Sequence, residues 1–208
     1  MTGVCAIPGL NLRVAPDQVP MPDRDMPADS DAGVAVFAGG CFWCTEAVFA
    51  QLDGVTGIEP GYAGGRAERA NYEAVCTGLS GHAEAIRIRY DPARIGYGRL
   101  LQVFFAVAHD ATQIDRQGND VGSQYRSAIF PQDAIQASVA LDYLRQLAGA
   151  GVFLSSIATR IEPGQVFHPA EAYHHGYAAR NPQQPYIRQV SAPKAARLRQ
   201  YFREYLVK

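Results

Sequence analysis

The stretch Val34-Ala35-Val36-Phe37-Ala38-Gly39-Gly40-Cys41-Phe42-Trp43-Cys44 joins a short apolar run to two glycines and a pair of cysteines. A continuous apolar run that ends at glycines is typical of a strand covered on both faces. Beyond the glycines, apolar residues recur at helical spacing as far as Leu52, and Gly54 is a suitable residue to end that helix. The pattern therefore predicts Cys41 at a turn from a strand into a helix.

A cysteine at this turn can be chemically reactive. The unpaired backbone N–H groups and the positive end of the helix dipole favour a thiolate, so we expect the pKa of Cys41 to lie below the free value of about 8.5. The alternative is a buried, inert cysteine, which is common. Cys44 follows one helical turn later, within possible disulfide reach. Such C-x-x-C pairs also occur in thioredoxin-like oxidoreductases and in zinc sites.

The rest of the chain predicts an α+β fold, a two-layer sandwich with a mixed β-sheet and a ferredoxin-like core. Strands are expected at residues 55–62, 82–90, 124–130 and 156–161. Helices are expected at 72–76, 98–108, 131–149 and 193–206. Long irregular segments at 109–122 and 163–192 interrupt the alternation, which disfavours a doubly wound sheet.

Residues 1–32 differ in composition from the remainder. They hold five prolines and five aspartates: Pro8, Pro16, Pro20, Pro22, Pro27, Asp17, Asp23, Asp25, Asp29 and Asp31. We expect this stretch to bury no apolar face and to be a mobile extension. Residues 33–208 are then predicted to form a single catalytic domain.

Bulk composition narrows the class of protein. The 208 residues are 48% hydrophobic and 19% charged with a formal net charge of −1, which suits a packed core. No basic run supports nucleic-acid binding, and no apolar stretch reaches the roughly 20 residues that span a bilayer. No secretory signal is recognisable, so we expect a cytoplasmic protein, without metal or cofactor and monomeric. Four cysteines are too few for a disulfide scaffold.

Glu84 breaks the pattern of its predicted strand. It is in phase with Ile86, Ile88 and Tyr90, so a carboxyl group points to the face that should be buried. Burial would keep it protonated and make it a proton donor. Alternatively, Glu84 lies at the strand end and reaches solvent.

Six segments together resemble the A-type peptide methionine sulfoxide reductases, and the resemblance covers about residues 33–190. In chain order they are Gly40-Cys41-Phe42-Trp43, residues 61–65, residues 71–78, Gly81-His82-Ala83-Glu84, residues 118–127 and Tyr173-His174. The first of these is highly specific to that family.

The resemblance implies a role for each matching residue. Cys41 would attack the sulfoxide sulfur and Glu84 would protonate the oxygen. Tyr62 and Tyr125 would hydrogen-bond that oxygen, and Asp120 would help to hold the substrate or a water. The methyl cage and the mouth of the site would be formed by Phe42, Trp43 and His174. The expected substrate is the S epimer of methionine sulfoxide, free or in proteins.

Regeneration of Cys41 after the reaction is expected to need a second thiol and thioredoxin. Cys44 is the first candidate for the resolving cysteine, Cys5 the second, and direct attack by thioredoxin the third. Cys76 matches a position that looks structural in the family, on the apolar side of a short helix. The chain also departs from the family by carrying His174-His175 where His-Gln is common.

Two other functions remain open on the residues alone. A thioredoxin-like disulfide oxidoreductase would use only the two thiols and leave Glu84 and Tyr62 dispensable. A metal- or peptide-binding module would use Cys41, Cys44 and the histidines. However, the sequence does not show the set of four ligands that a structural zinc site usually has.

Overall fold

One mixed sheet carries the helices on one of its faces in the computed structural model, which describes residues 9–27 and 32–208. The strands are β1 (Gly33–Gly39), β2 (Val55–Ala63), β3 (Ala83–Tyr90), β4 (Arg116–Gln117), β5 (Asp120–Val121), β6 (Ser127–Ile129), β7 (Arg160–Ile161) and β8 (Phe167–Pro169). The α-helices are α1 (Phe42–Phe49), α2 (Tyr72–Cys76), α3 (Tyr97–Val103), α4 (Ala134–Gly149), α5 (Tyr177–Arg180) and α6 (Ala192–Tyr201).

The main sheet has the strand order β7-β6-β1-β3-β2-β8. Its pairs are antiparallel except β6 with β7, which is parallel, so the sheet is mixed as predicted. Strands β4 and β5 form a separate two-stranded ribbon. The predicted α+β class is confirmed, with strands and helices in distinct layers rather than in a doubly wound order.

Strand β1 is buried on both faces, which explains its continuous apolar run. On the helix face, the ring of Phe37 stacks on that of Phe104, with the centroids 4.9 Å apart. On the opposite face, Val36 and Ala38 pack in a smaller cluster that includes Ala85 and Phe130. Because both faces are filled, β1 fixes the position at which the chain turns into α1.

Helix ends differ from the sequence-based bounds. Helix α1 ends at Phe49, so the prediction that Gly54 ends it is wrong. Gly54 instead turns the chain into β2 with φ 90°, a conformation that suits glycine. Residues 163–192 are less irregular than expected, because they contain β8, α5 and a π-helical turn at Ile187–Ser191. No helix within the described ranges is long and apolar enough to cross a membrane.

The described part of the N-terminal stretch packs on the domain. Leu10, Leu12 and Val19 are at most 1% exposed and belong to the main core. The N–H group of Arg13 donates to the carbonyl of Val152 at 2.8 Å. The expectation that this stretch buries no apolar face is therefore wrong for residues 9–27, because leucine and valine between the prolines supply one. Residues 1–8 and 28–31 lie outside the described ranges, and the domain boundary at residue 33 stays a prediction.

Candidate active site

Cys41 lies at the predicted turn between β1 and α1, immediately before the helix begins. Gly40 makes the turn with φ 83°, and a Cβ atom there would lie 2.4 Å from the side chain of Gln117. Glycine is thus required both by the backbone conformation and by the lack of space. The Cys41 side chain is 8% exposed, so its sulfur sits at the bottom of the site rather than on the surface.

Cys41 and Cys44 share a hydrogen bond that shifts their pKa values in opposite directions. Burial raises the pKa of Cys41 well above its ordinary value, and a hydrogen bond to Cys44 raises it further. The same hydrogen bond, accepted by Cys44, lowers the pKa of Cys44 to about 7. Our expectation of a lowered pKa for Cys41 is therefore wrong for this structure. Loss of a proton is therefore favoured at Cys44, where the hydrogen bond from Cys41 stabilises the thiolate.

Tyr186 connects this thiol pair to an acid. Its hydroxyl lies 3.7 Å from the Cys44 sulfur and donates a hydrogen bond to the Asp120 carboxylate at 2.5 Å. Asp120, on β5, is therefore linked to the thiol pair through this tyrosine. Sequence reasoning missed Tyr186, because it lies just before the π-helical turn Ile187–Ser191 in a segment without periodicity.

Glu84 is buried on β3 with 3% exposure, on the face that carries Ile86 and Ile88. Its Oε2 atom accepts a hydrogen bond from the N–H group of Phe42 at 3.0 Å. Burial raises its pKa to about 8, so the carboxyl group is mostly protonated at neutral pH. The alternative that Glu84 simply reaches solvent is excluded. A proton donor is held beside the residue that follows Cys41.

The two predicted tyrosines both lie near this acid. Tyr62 is paired with Glu84 across β2 and β3, and its hydroxyl donates to Oε2 of Glu171 at 2.8 Å. Tyr125 ends the short 3-10 turn Ser123–Tyr125. Burial raises the pKa of its phenol, and the nearby charges of Glu84 and Cys41 raise it further. Glu171 was not expected in the site, since it lies in the segment interpreted as irregular.

An aromatic wall closes one side of the site. Trp43 stacks on Tyr177 with ring centroids 3.9 Å apart and donates from Nε1 to Nδ1 of His174 at 3.2 Å. The His174 ring also packs on Phe42 at 4.9 Å. His174 is 1% exposed, so it supports this wall from behind, which differs from the expected place at the mouth. Tyr177 was missed because a lone tyrosine in a polar segment carries no signal.

The remaining cysteines differ from the site pair. Cys76 ends α2 and is exposed, so its expected place on an apolar side is wrong. Cys5 lies outside the described residues. In the described part of the chain, no cluster of three or more His, Cys, Asp or Glu residues has the arrangement of a metal site. A thiol pair with a pKa near 7 beside a neutral carboxyl group suits reductive chemistry at a polarised oxygen, as in thiol-dependent oxidoreductases.

Similarity to known proteins shows which family of thiol-dependent oxidoreductases this chain resembles. Residues 33–206 match the family model described as "Peptide methionine sulfoxide reductase". The chain is 50% identical over 172 residues to the "Peptide methionine sulfoxide reductase MsrA" of Deinococcus radiodurans, covering 83% of each chain. It is 51% identical over 160 residues to the protein of the same name from Nautilia profundicola, covering 77% of this chain and 90% of the relative.

A solved structure is also similar. The fold superimposes on the reduced form of Mxr1 from Saccharomyces cerevisiae with a TM-score of 0.67 and 32% identity, over 77% of this chain and 90% of that one. The chain belongs to the peptide methionine sulfoxide reductase family.

Proposed function

We propose that this enzyme reduces the S epimer of methionine sulfoxide, free or within proteins, to methionine. Membership of the family supports the substrate class. The observation that carries the proposal is the protonated Glu84 carboxyl, hydrogen-bonded to the residue that follows Cys41. A sulfoxide oxygen is a poor leaving group unless it is protonated, so a nucleophilic thiolate needs an acid at this place.

The reaction transfers the sulfoxide oxygen to Cys41. Proton transfer from Cys41 to Cys44 within their hydrogen bond exposes the Cys41 thiolate. The thiolate attacks the sulfoxide sulfur while Glu84 gives its proton to the oxygen, so that a bond forms between the Cys41 sulfur and the substrate sulfur. The OH group then passes from the substrate sulfur to the Cys41 sulfur as the bond between the two sulfurs breaks, which releases methionine and leaves Cys41 as a sulfenic acid. Cys41 is thereby oxidised by two electrons and the substrate sulfur is reduced by two.

The other residues of the site bind and orient the substrate. Tyr62 and Tyr125 hydrogen-bond the sulfoxide oxygen from positions near Glu84. Asp120 holds the substrate or a water, and its bond to Tyr186 fixes the carboxylate. The S-methyl group lies against the aromatic wall at Phe42 and Trp43, which the His174 ring supports from behind.

Cys44 regenerates the enzyme. Its thiolate attacks the Cys41 sulfenic acid, a water molecule leaves, and a Cys41–Cys44 disulfide forms. Thioredoxin then reduces this disulfide by thiol exchange. Proximity of the two sulfurs and the lowered pKa of Cys44 support this role. The need for a reducing partner also fits the cytoplasm, which keeps such disulfides transient. We further propose that the enzyme works as a monomer.

We also propose that the main elements form a ferredoxin-like core. The chain runs β1-α1-β2-β3-α3-β6, and these four strands lie in the order β6-β1-β3-β2 within the larger sheet. Both the alternation of the elements and the antiparallel pairing of neighbouring strands support this description.

An assay with the separated R and S sulfoxide epimers tests the proposed function. Dithiothreitol serves as the reductant and methionine formed is the readout. We expect reduction of the S epimer alone, and its loss in Cys41→Ser, because a serine hydroxyl is barely ionised at neutral pH. Reduction of a model disulfide with both epimers inert would instead identify a thioredoxin-like disulfide oxidoreductase.

A further inference from the structure

Glu171 accepts hydrogen bonds from two tyrosine residues, Tyr62 and Tyr72. Its Oε2 atom accepts a hydrogen bond from the Tyr62 hydroxyl, and its Oε1 atom accepts one from the N–H group of Tyr72, both at 2.8 Å. Burial alone would raise the pKa of Glu171, but these hydrogen bonds outweigh it and hold the pKa below its ordinary value. Glu171 is therefore a carboxylate at neutral pH, and a carboxylate only accepts hydrogen bonds.

The direction of the Tyr62 hydrogen bond follows from this. A phenol hydroxyl has one proton, and in this structure Tyr62 gives that proton to Glu171. A sulfoxide oxygen is also only an acceptor. Tyr62 therefore cannot donate to the substrate oxygen while it donates to Glu171, whereas the protonated Glu84 on the paired strand is free of this conflict.

We propose that Glu171 is a positioning residue that competes with the sulfoxide oxygen for the Tyr62 proton and so sets the strength with which the enzyme binds its substrate. This inference rests on the proposed function. Substrate binding must rotate the Tyr62 hydroxyl out of a charge-assisted hydrogen bond, and such bonds are about twice as strong as neutral ones. Only an oxygen that is a strong acceptor can draw the proton away, which favours a sulfoxide over weaker acceptors of similar shape.

The variant Glu171→Gln separates competition from support. The glutamine Oε1 atom can still accept from the Tyr72 N–H group, while its NH₂ group donates to the Tyr62 oxygen and leaves the Tyr62 proton free. We expect KM for S-methionine sulfoxide to fall about fivefold, the order expected for exchanging a charged for a neutral hydrogen-bond partner, with kcat changed by less than about twofold. Glu73→Gln is the matched control, because it removes an exposed carboxylate from the adjacent helix α2.

A double-mutant cycle with Tyr62→Phe gives the decisive readout. If Glu171 acts through the Tyr62 proton, Glu171→Gln has no effect on KM in the Tyr62→Phe background. Binding of S-methionine sulfoxide to the Cys41→Ser variants should follow the same pattern. Fluorescence can report it, because Trp43 is the only tryptophan in the sequence.

Each outcome bears on one proposal. An unchanged or raised KM in Glu171→Gln, with thermal stability retained, overturns the competition. So does a fall in KM that persists in Tyr62→Phe, since the effect would then not pass through the Tyr62 proton. If Glu171→Gln proves unstable, the affinities of the wild type and of Tyr62→Phe for the substrate can still be compared. Competition predicts only a small loss of affinity when the hydroxyl is removed, so a large loss overturns it. Failure of the wild-type enzyme to reduce the S epimer would instead refute the proposed function.

Discussion

The two sides of the candidate site are built differently. The inner side consists of the β1–α1 turn and β3, which carry Cys41, Cys44 and Glu84 on regular elements at the core. The outer wall consists of residues 171–186, which connect short elements and carry Glu171, Tyr177 and Tyr186. On the inner side, burial raises the pKa values of Glu84 and Cys41, and the hydrogen bond between the two cysteines lowers the pKa of Cys44. On the outer wall, hydrogen bonds orient groups that the inner side uses.

This difference suggests that the two sides have different roles in the reaction. The inner side holds the reacting proton and the two thiols in a water-poor environment, where their charges are strongly affected by burial. The outer wall supplies contacts that adjust those groups. Substitutions on the inner side should therefore affect the chemical step by orders of magnitude, and substitutions further out should have progressively smaller effects on the rate.

Among substitutions that keep both thiols of the site, the largest effect is expected for Glu84→Gln. Glutamine keeps the size of the side chain and can accept from the Phe42 N–H group, but it cannot deliver a proton. Reduction of the S epimer should slow by about 10²–10⁴-fold. Steady-state rates with dithiothreitol, compared with an exposed control such as Glu68→Gln, provide the measurement. A loss below about threefold would mean that the acid lies elsewhere. It would also contradict the expectation that substitutions on the inner side affect the chemical step more strongly than those on the outer wall.

The pH profile of kcat/KM sharpens the same prediction. Glu84 must be protonated, so its pKa of about 8 gives a rate that falls as the pH rises through that value. The thiol pair must lose a proton, so the pKa of about 7 at Cys44 gives a rate that rises through that value. The wild-type profile should therefore be a narrow bell between these values. In Glu84→Gln, the falling limb should disappear while the rising limb stays.

Cys44→Ser tests whether the inner side also regenerates itself. Because only Cys41 is oxidised in the first step, the variant should still form about one methionine per enzyme without reductant, although more slowly, since Cys44 no longer takes the proton of Cys41. Turnover driven by thioredoxin should slow sharply, while the small reductant dithiothreitol should restore part of it. Cys76→Ser, at the exposed end of α2, is the control and should keep both activities.

Mass spectrometry after one equivalent of substrate decides the recycling route. A Cys41–Cys44 disulfide in the wild type agrees with the proposal, although two cysteines so spaced on one helix strain such a bond unless the first turn opens. A Cys41–Cys5 link would assign the resolving role to the N-terminal stretch. A persistent sulfenic acid would assign it to the external reductant.

The smallest effect on catalysis is expected in the N-terminal stretch. Leu12→Ala removes a buried side chain from the core and should lower the free energy of unfolding by about 2–5 kcal/mol. The rate constant of the folded enzyme should be unchanged, since Leu12 lies outside both sides of the site. Urea denaturation with Leu79→Ala, an exposed leucine, as control measures the difference. An unchanged stability would contradict the packing of this stretch.

The inner side could be predicted because its residues obey periodic patterns. The apolar run and glycines placed Cys41 at the turn, and the alternation along β3 placed Glu84 on the buried face. The outer wall has no such pattern. The partners of Tyr62 and Cys44 come from positions 109 and 142 residues away in the chain, and only tertiary packing brings them together. The pKa of Cys41 was mispredicted for a related reason: the helix terminus is local, but the burial that outweighs it is not.

The packing of residues 9–27 also has a consequence for the order in which the chain is completed. Arg13 donates to the carbonyl of Phe153, which is 140 residues further along, and Tyr143 donates to the carbonyl of Pro20. During synthesis, the leucines of this stretch must wait without their partners until the region around α4 has left the ribosome. Contacts of such sequence separation are slow to close. The nascent protein therefore carries an uncovered apolar stretch until that region has been made, and such a segment is the kind that chaperones protect.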